Sequence, residues 1–326
     1  MKKKKVGIVG YGNLGRGVET AIQQNRDFEL AAVITRRNPE EVKINTLSAA
    51  RVHTNNVLDL KGKVDVMILC GGSATDLPVQ GPEFAKNFVT VDSYDTHAKI
   101  PEYFEKMDKT SKKAKLISLI SAGWDPGLFS INRLMMQSVL PFGLGCSFWG
   151  KGVSQGHSDA IRRIEGVENA IQYTMPLEAA IEKARNGESG FLQTRDKHIR
   201  ECFVVAKEGA DKERIENEID TMPNYFSDYE TIIHFISREE LEKNHKAMPH
   251  GGFVIQSGKM NGSRQTMEFS LKLENNPEFT ASVLLAYARA AHRYYKEGRT
   301  GALTAFDIPP AYLSPETDDE IRKNIL

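Results

Sequence analysis

The sequence predicts an α/β protein: a Rossmann-type doubly wound parallel sheet first, then a mixed-sheet α+β region. Three observations carry this. A short β-branched run at residues 6–9 enters a Gly-x-Gly-x-x-Gly turn at Gly10, Gly12 and Gly15. An amphipathic stretch follows at once, and strand-like apolar runs then alternate with helical ones through the first third of the chain.

Val6, Ile8 and Val9 read as a buried parallel strand, and Leu14, Val18, Ala21 and Ile22 fall on one face of the helix after it. The glycines therefore occupy a strand-to-helix turn. Gly10 permits the tight turn, Gly12 lets a pyrophosphate approach the backbone, and Gly15 lets the helix pack close to the strand. Tyr11, Asn13 and Leu14 complete this candidate dinucleotide loop. Residues 28–34 read as the second strand, at whose end an acidic side chain would hold the ribose 2′-hydroxyl of NAD. Thr35, Arg36 and Arg37 stand there instead, a hydroxyl and two permanent cations that suit a 2′-phosphate, so NADP is the predicted cofactor.

Residues 64–70 read as the next strand, ending in Gly71, Gly72, Ser73, Ala74 and Thr75, small residues expected to flank the cofactor. After a helix over residues 82–87, a strand from Val89 ends in Asp92, Ser93, Tyr94 and Asp95. Ligands of doubly wound sheets bind beyond the carboxyl ends of strands, which places Asp92 and Asp95 to face the crevice. A helix over 101–113 and a strand over 116–121 lead to Gly123-Trp124-Asp125-Pro126-Gly127, a rigid strand-end turn in which Asp125 is a second carboxylate candidate. A helix over 128–140 leaves the dinucleotide domain.

With 326 residues the chain is long enough for two cores, so a second domain is expected from about Gly123. Residues 148–159, rich in Gly and polar groups, read as a loop that lines something. Strands are predicted over 170–175, 201–206 and 230–236, and helices over 177–186 and 211–221. Strands over 253–256 and 266–273 and a long Ala-rich helix over 280–295 follow, then an acidic helix over 314–325 returning to the first domain. Lys plus Arg equals Asp plus Glu at 43 each, so no global field recruits nucleic acid or anionic membrane. The Lys2-Lys3-Lys4-Lys5 run reads as a solvated tail, and no apolar stretch reaches spanning length. Cys70, Cys146 and Cys202 have neither metal spacing nor a C-x-x-C pairing, so a reduced, cytoplasmic protein without a metal is expected.

Taken together, several motifs resemble meso-diaminopimelate dehydrogenase, an NADP-dependent amino-acid dehydrogenase family, over nearly the whole chain. They are residues 7–16 around the glycine turn, residues 123–127, Phe148-Trp149-Gly150 with residues 154–159, and Met248-Pro249-His250-Gly251-Gly252. The resemblance implies a dinucleotide domain over 1–122, completed by about 300–326, and a dimerisation and substrate region over 123–299. It implies a homodimer, contact of the arginine pair with the 2′-phosphate, and oxidation of the D-centre of meso-2,6-diaminopimelate. The resulting imine would hydrolyse to L-2-amino-6-oxopimelate and ammonia, a reaction of diaminopimelate and lysine biosynthesis. By position, the family's substrate residues fall on Asp92, Asp125, Trp149, Gln155, Gly156, Thr174, Arg200, His250 and Asn276.

The chemistry fits that assignment. A substrate with two carboxylates and two ammonium groups needs acceptors at the amines, which Asp92 and Asp125 offer, and donors at the acids, which Arg200, His250, Thr174 and Asn276 offer. A proton must leave the amine before oxidation, and Asp92, Asp125, His157 and bulk water are all candidates to receive it. Two other readings stand beside this one. A homoserine- or semialdehyde-type reductase is possible in outline, although a phosphorylating one needs a catalytic cysteine and Cys146 lacks the context. A non-catalytic NADP sensor would need only the glycine turn and the arginines.

Overall fold

The computed structural model describes residues 3–223 and 225–326, so Lys2, at the head of the lysine run, lies outside the described residues. The chain forms two compact units, Met1–Ile131 with Pro277–Leu326, and Asn132–Asn276. These limits differ from a division at 122/123 and 299/300, chiefly because the long late helix packs with the first unit.

In the first unit β1 (Lys4–Val9), α1 (Asn13–Gln24) and β2 (Phe28–Thr35) form the opening βαβ unit. Next come β3 (Ala50–His53), β4 (Val66–Leu69), α2 (Leu77–Ala85), β5 (Thr90–Asp92), α3 (Ile100–Ala114) and β6 (Ile117–Leu119). Helix α2 begins earlier than Pro82 suggested, because Pro78 takes the helix-start position and Pro82 is carried inside. Helix α4 (Leu128–Val139) leads into the second unit.

There the chain runs through β7 (Leu144–Trp149), β8 (Gly152–Val153), α5 (Gln155–Arg162), β9 (Val167–Pro176), α6 (Glu178–Arg185) and α7 (Thr194–Lys197). It continues through β10 (His198–Ala206), α8 (Lys212–Asp220), β11 (Glu230–Phe235), α9 (Arg238–Asn244), β12 (His250–Met260) and β13 (Ser263–Leu273). Residues 148–159 are thus not a loop: the stretch ends β7, forms β8 and starts α5, its glycines marking turns between short elements. Helix α10 (Asn276–Lys296), β14 (Gly301–Leu303) and α11 (Asp318–Ile325) complete the chain.

The first sheet has the order β14-β6-β5-β4-β1-β2-β3. Every pairing is parallel, as expected for strands that read as continuous apolar runs. The order reverses between β1 and β4, which is where a doubly wound sheet opens a ligand crevice. Core clusters cover both faces. One gathers Ile8, Val18, Val33 and Ile68 with Leu284, Tyr287, Ala288 and Ala291, so α10 supplies much of the packing opposite β1. The other gathers Val9, Ile34, Met67 and Leu69 with Phe84, Tyr103 and Met107 of α2 and α3.

Arg289 of α10 makes a bidentate pair with buried Asp27, at 2.7 and 2.9 Å, and Lys4 adds a third bond to that carboxylate at 3.1 Å. Lys4 is therefore part of the fold, not of a solvated tail.

The second unit holds a four-stranded sheet, β11-β10-β9-β8, and a three-stranded one, β13-β12-β7. In the first, β10 runs parallel to β11 and antiparallel to β9. Alternation along β10 buries Val204, Cys202, Arg200 and His198 on one face. Val204 and Cys202 pack with Ile161, Ile215 and Ile219 beneath α5 and α8. At Arg200 and His198 that apolar face gives way to a polar end.

Candidate functional site

The cofactor cradle is built on the carboxyl ends of three adjacent strands. Gly10 N–H bonds to the Ile34 carbonyl at 2.9 Å and Cys70 N–H to that of Val9 at 2.8 Å, which aligns the ends of β1, β2 and β4. Between them lies a cleft of about 420 Å³ lined by Gly10, Tyr11, Gly12, Arg16, Thr35, Arg36, Arg37, Gly71 and Gly72 among others. Gly10 has φ +89°, and a Cβ on Gly15 would land on the Gly10 carbonyl oxygen. Gly12, the residue that caps α1, has nothing within 4 Å of its Cβ direction. Open space over a helix N-terminus is what a diphosphate needs, and the cradle fits a dinucleotide on that ground.

Thr35 Oγ1 accepts the Arg37 N–H at 3.1 Å and Arg37 Nη2 reaches the Tyr11 carbonyl at 3.3 Å, so Arg37 is held at the end of β2. Arg36 pairs with Asp76 at 2.9 Å, and the second oxygen of Asp76 accepts the Gly72 N–H at 2.9 Å. The remaining predicted cofactor residues are placed differently. Tyr11 contributes backbone only, because its buried hydroxyl donates to Glu19, whose other oxygen accepts the Thr46 N–H at 2.6 Å. Asn13 begins α1 and Leu14 packs against the core. Ser73 accepts the Asp95 N–H at 2.8 Å, tying the glycine turn to the end of β5, and Ser73, Ala74 and Thr75 are not among the residues lining the cleft.

Asp92 is walled in. Its Oδ1 accepts the N–H groups of Tyr94 and Ser121 at 3.0 and 3.1 Å, its Oδ2 accepts the Tyr103 hydroxyl at 2.8 Å, and the residue is 0 % exposed. Burial pushes its carboxyl up to about 6, against the pull of those three hydrogen bonds. The expectation that Asp92 faces the crevice is corrected: it joins β5 to α3 and to the end of β6. The exposed carboxylate at this strand end belongs to Asp95. Asp125 is half-buried in the turn at residues 123–127, held by the Gly123 N–H to Pro126 carbonyl bond at 2.9 Å and by Trp124 edge-on to Phe129 at 5.1 Å.

The second unit gathers the other predicted site residues. Thr174 of β9 lies opposite Gly152 on one side and Arg200 on the other. The His250 ring packs on Gly152, where a Cβ would come 2.5 Å from its Nδ1. That nitrogen lies 2.8 Å from the Gly251 N–H and 3.2 Å from the Gly251 carbonyl, which fixes the ring against its own backbone. Trp149 N–H donates to His198 Nε2 at 2.9 Å, two residues before Arg200. Gln155 Nε2 sits 3.1 Å from Met248 Sδ, and Asn276 N–H bonds to the Met248 carbonyl at 3.0 Å. Gly156, in the first turn of α5, faces open space.

Electrostatically this cluster centres on Arg200, which is 7 % exposed. Burial lowers its pKa, and the acceptors around its guanidinium are neutral. Nη1 donates to the Thr174 hydroxyl, whereas buried Nε has no partner. His198 and His157 are pushed down to about 3 and about 4, by burial first and by the Arg200 charge second. His157, bonded to Ser154 at 2.7 Å and edge-on to Tyr225 and Phe226, is thus a neutral wall residue at ordinary pH. Two neighbours of Arg200 had escaped sequence reasoning: Tyr229, whose ring lies 3.8 Å under the guanidinium, and Thr231, its register partner on β11. Neither belongs to a motif, and only strand register brings them to Arg200. Among the described residues no group of His, Cys, Asp and Glu could hold a metal.

Residues 123–275 match the family described as Diaminopimelic acid dehydrogenase C-terminal domain. The chain is 58 % identical to the meso-diaminopimelate D-dehydrogenase of Acetivibrio thermocellus, a match covering all of this chain and 98 % of that protein. Among solved structures it is similar to the Corynebacterium glutamicum DAP dehydrogenase in complex with DAP, at 46 % identity over the whole of both chains and a TM-score of 0.94. An engineered D-amino acid dehydrogenase bound to NADP+ matches at 45 % identity, again over both whole chains, with a TM-score of 0.89.

Proposed function

The chain belongs to the meso-diaminopimelate D-dehydrogenase family, and we propose that it oxidises the D-centre of meso-2,6-diaminopimelate to L-2-amino-6-oxopimelate and ammonia, reversibly and with NADP, in lysine and diaminopimelate biosynthesis. One observation carries the reading: Arg200, a buried cation with an unpartnered Nε, which donates through Nη1 to the neutral Thr174 hydroxyl and stacks on the neutral Tyr229. Such a charge is costly unless an anion completes it, and a substrate carboxylate does so. A bare NADP sensor gives it no such use; a homoserine-type substrate also carries one carboxylate, and the substrate panel below separates it from the diamino diacid.

Thr174 and His250 add donors beside it, and Trp149, Gln155, Gly156 and Asn276 form the rest of the substrate wall. A diamino diacid also needs acceptors for its ammonium groups, a role for which Asp125 remains the candidate by resemblance, and the proton that the amine must lose needs a carboxylate or water to receive it. Asp92 holds the end of β5 against α3 and β6. Arg36 and Arg37 hold the 2′-phosphate, and Gly10, Gly12 and Gly15 admit the diphosphate. When bound, NADP supplies the hydride acceptor. The test is NADPH formation with a panel of amino and hydroxy acids: turnover of meso-diaminopimelate is expected, and turnover of a hydroxy acid without it would overturn the reading.

The proposal includes a homodimer and a cytoplasmic location. Leu134, Met135 and Val139 on α4, with Phe142, Leu144 and Phe191, expose large apolar side chains on the second unit, Phe142 at 89 % and Phe191 at 90 %. A second copy would cover them. Sedimentation at micromolar concentration should show the doubled mass, and a fully active monomer would reject it. No helix among the described residues is long and apolar enough to cross a membrane.

A further inference from the structure

A guanidinium offers two faces and a rigid fork of N–H donors, so its aim is fixed only when a face and part of the edge are both held. In Arg200 the edge is held by Nη1 on the Thr174 hydroxyl, and the face by the ring of Tyr229, 3.8 Å from the guanidinium carbon. Nε is buried and without a partner. Thr231 lies in register with Arg200, on the face of β11 that also carries the core-packing Ile233 and Phe235, and its buried hydroxyl is likewise unpartnered. Two orphaned polar groups on neighbouring strands mark a place for oxygens the protein itself does not supply.

We propose that Tyr229 is a positioning residue for the diamino diacid: its ring carries the Arg200 guanidinium and keeps the Nε edge turned toward the substrate carboxylate. The inference rests on Arg200 binding that carboxylate. Tyr229 stands just before β11, held by its N–H to the Phe226 carbonyl at 2.8 Å, so the ring is placed by the backbone and not by Arg200 itself. Without the ring, a long flexible side chain would keep its Thr174 bond yet lose its plane. Substrate binding would weaken, and cofactor binding in the other unit would not.

A double-mutant cycle tests this, with Tyr229→Leu and Tyr229→Phe each made in the natural chain and in Arg200→Met. Tyr229→Leu should raise the KM for meso-diaminopimelate by about three- to thirty-fold, the range of a partly desolvated cation–π contact. The KM for NADP and kcat should change less than about two-fold, and Tyr229→Phe, which keeps the face and removes only the hydroxyl that also touches the guanidinium, should cost less than Leu. In Arg200→Met the Leu substitution should add less than about two-fold. The inference fails if Tyr229→Leu costs the same factor in both backgrounds, if the KM for NADP rises in parallel, or if Phe is as damaging as Leu. Should the Leu variant not fold, Tyr229→Gln is read in the same way. If Arg200→Met alone leaves the KM unchanged, the carboxylate assignment falls; if it raises the KM while Tyr229→Leu does not, only the role of Tyr229 falls.

Discussion

Asp92→Asn replaces a carboxylate at the end of β5 by an amide of nearly the same shape. The amide oxygen can keep the N–H groups of Tyr94 and Ser121, and the amide NH2 can donate to the Tyr103 oxygen once that hydroxyl turns. What the substitution removes is the buried charge. Burial raises the Asp92 carboxyl from the ordinary value of 3.8 to about 6. Because the folded value lies above the unfolded one, the folded protein binds more protons between the two. Stability is therefore fully present below pH 3.8, falls as pH rises through that window and levels off above it. At about 1.4 kcal/mol per unit the ionised group costs roughly 3 kcal/mol above pH 7. Asp92→Asn should accordingly be more stable than the natural protein by up to ~3 kcal/mol at pH 8, with the advantage fading toward pH 4. Asp92→Ala strands three donors at roughly 1–3 kcal/mol each and should be destabilised at both ends of the range. Urea denaturation of the three proteins at pH 4.5 and pH 8, with kcat measured alongside, decides the matter. An Asn variant that is less stable at pH 8, or that keeps its stability and loses kcat by orders of magnitude, would refute the structural role and return Asp92 to the chemistry.

Replacing Arg36 and Arg37 together by Ala should raise the KM for NADP by about ten- to a hundred-fold and that for NAD far less; an unchanged preference ratio would remove the 2′-phosphate assignment. Gly15→Ala places a Cβ on the Gly10 carbonyl and 3.2 Å from the Ile8 side chain, so dinucleotide affinity should fall at least about ten-fold, read by fluorescence titration with NADPH. Arg289→Leu leaves Asp27 buried with only Lys4 and should cost roughly 3–5 kcal/mol at pH 7. Asp27 is held down at about 2, so this stabilisation is present above the ordinary value of 3.8 and should disappear from acid-denaturation curves as pH falls through about 2.

Local constraints were legible in the sequence, and long-range partners were not. The glycine turn, the NADP-type arginines and most strands can be read because backbone sterics and apolar runs act within a few residues. Asp92 and Asp95, three residues apart, look equally suited to a crevice. What separates them is Tyr103 and Ser121, brought to Asp92 only when α3 and β6 are packed. Arg200 was found through resemblance, and by periodicity alone it is an interruption in an apolar face. Tyr229 was missed because its meaning lies in the register of β11 against β10. The long helix was found but given to the wrong neighbour in sequence, since an Ala-rich surface does not say which sheet it will cover.

That helix gives the first unit an order of assembly. The strand and turn that define the cradle emerge first during synthesis, yet Gly17 of α1 rests against Pro277, Glu278 and Ala281, and Val18 shares a core with Leu284 and Tyr287. A nascent chain must therefore store its opening βαβ unit, one side uncovered, while the whole inserted unit Asn132–Asn276 is made. The ends of that insert belong to one core, so the insert can form as a closed excursion before its host is finished. A premature stop near residue 275 would leave a complete insert on an incomplete host, a product for quality control and not a partial enzyme.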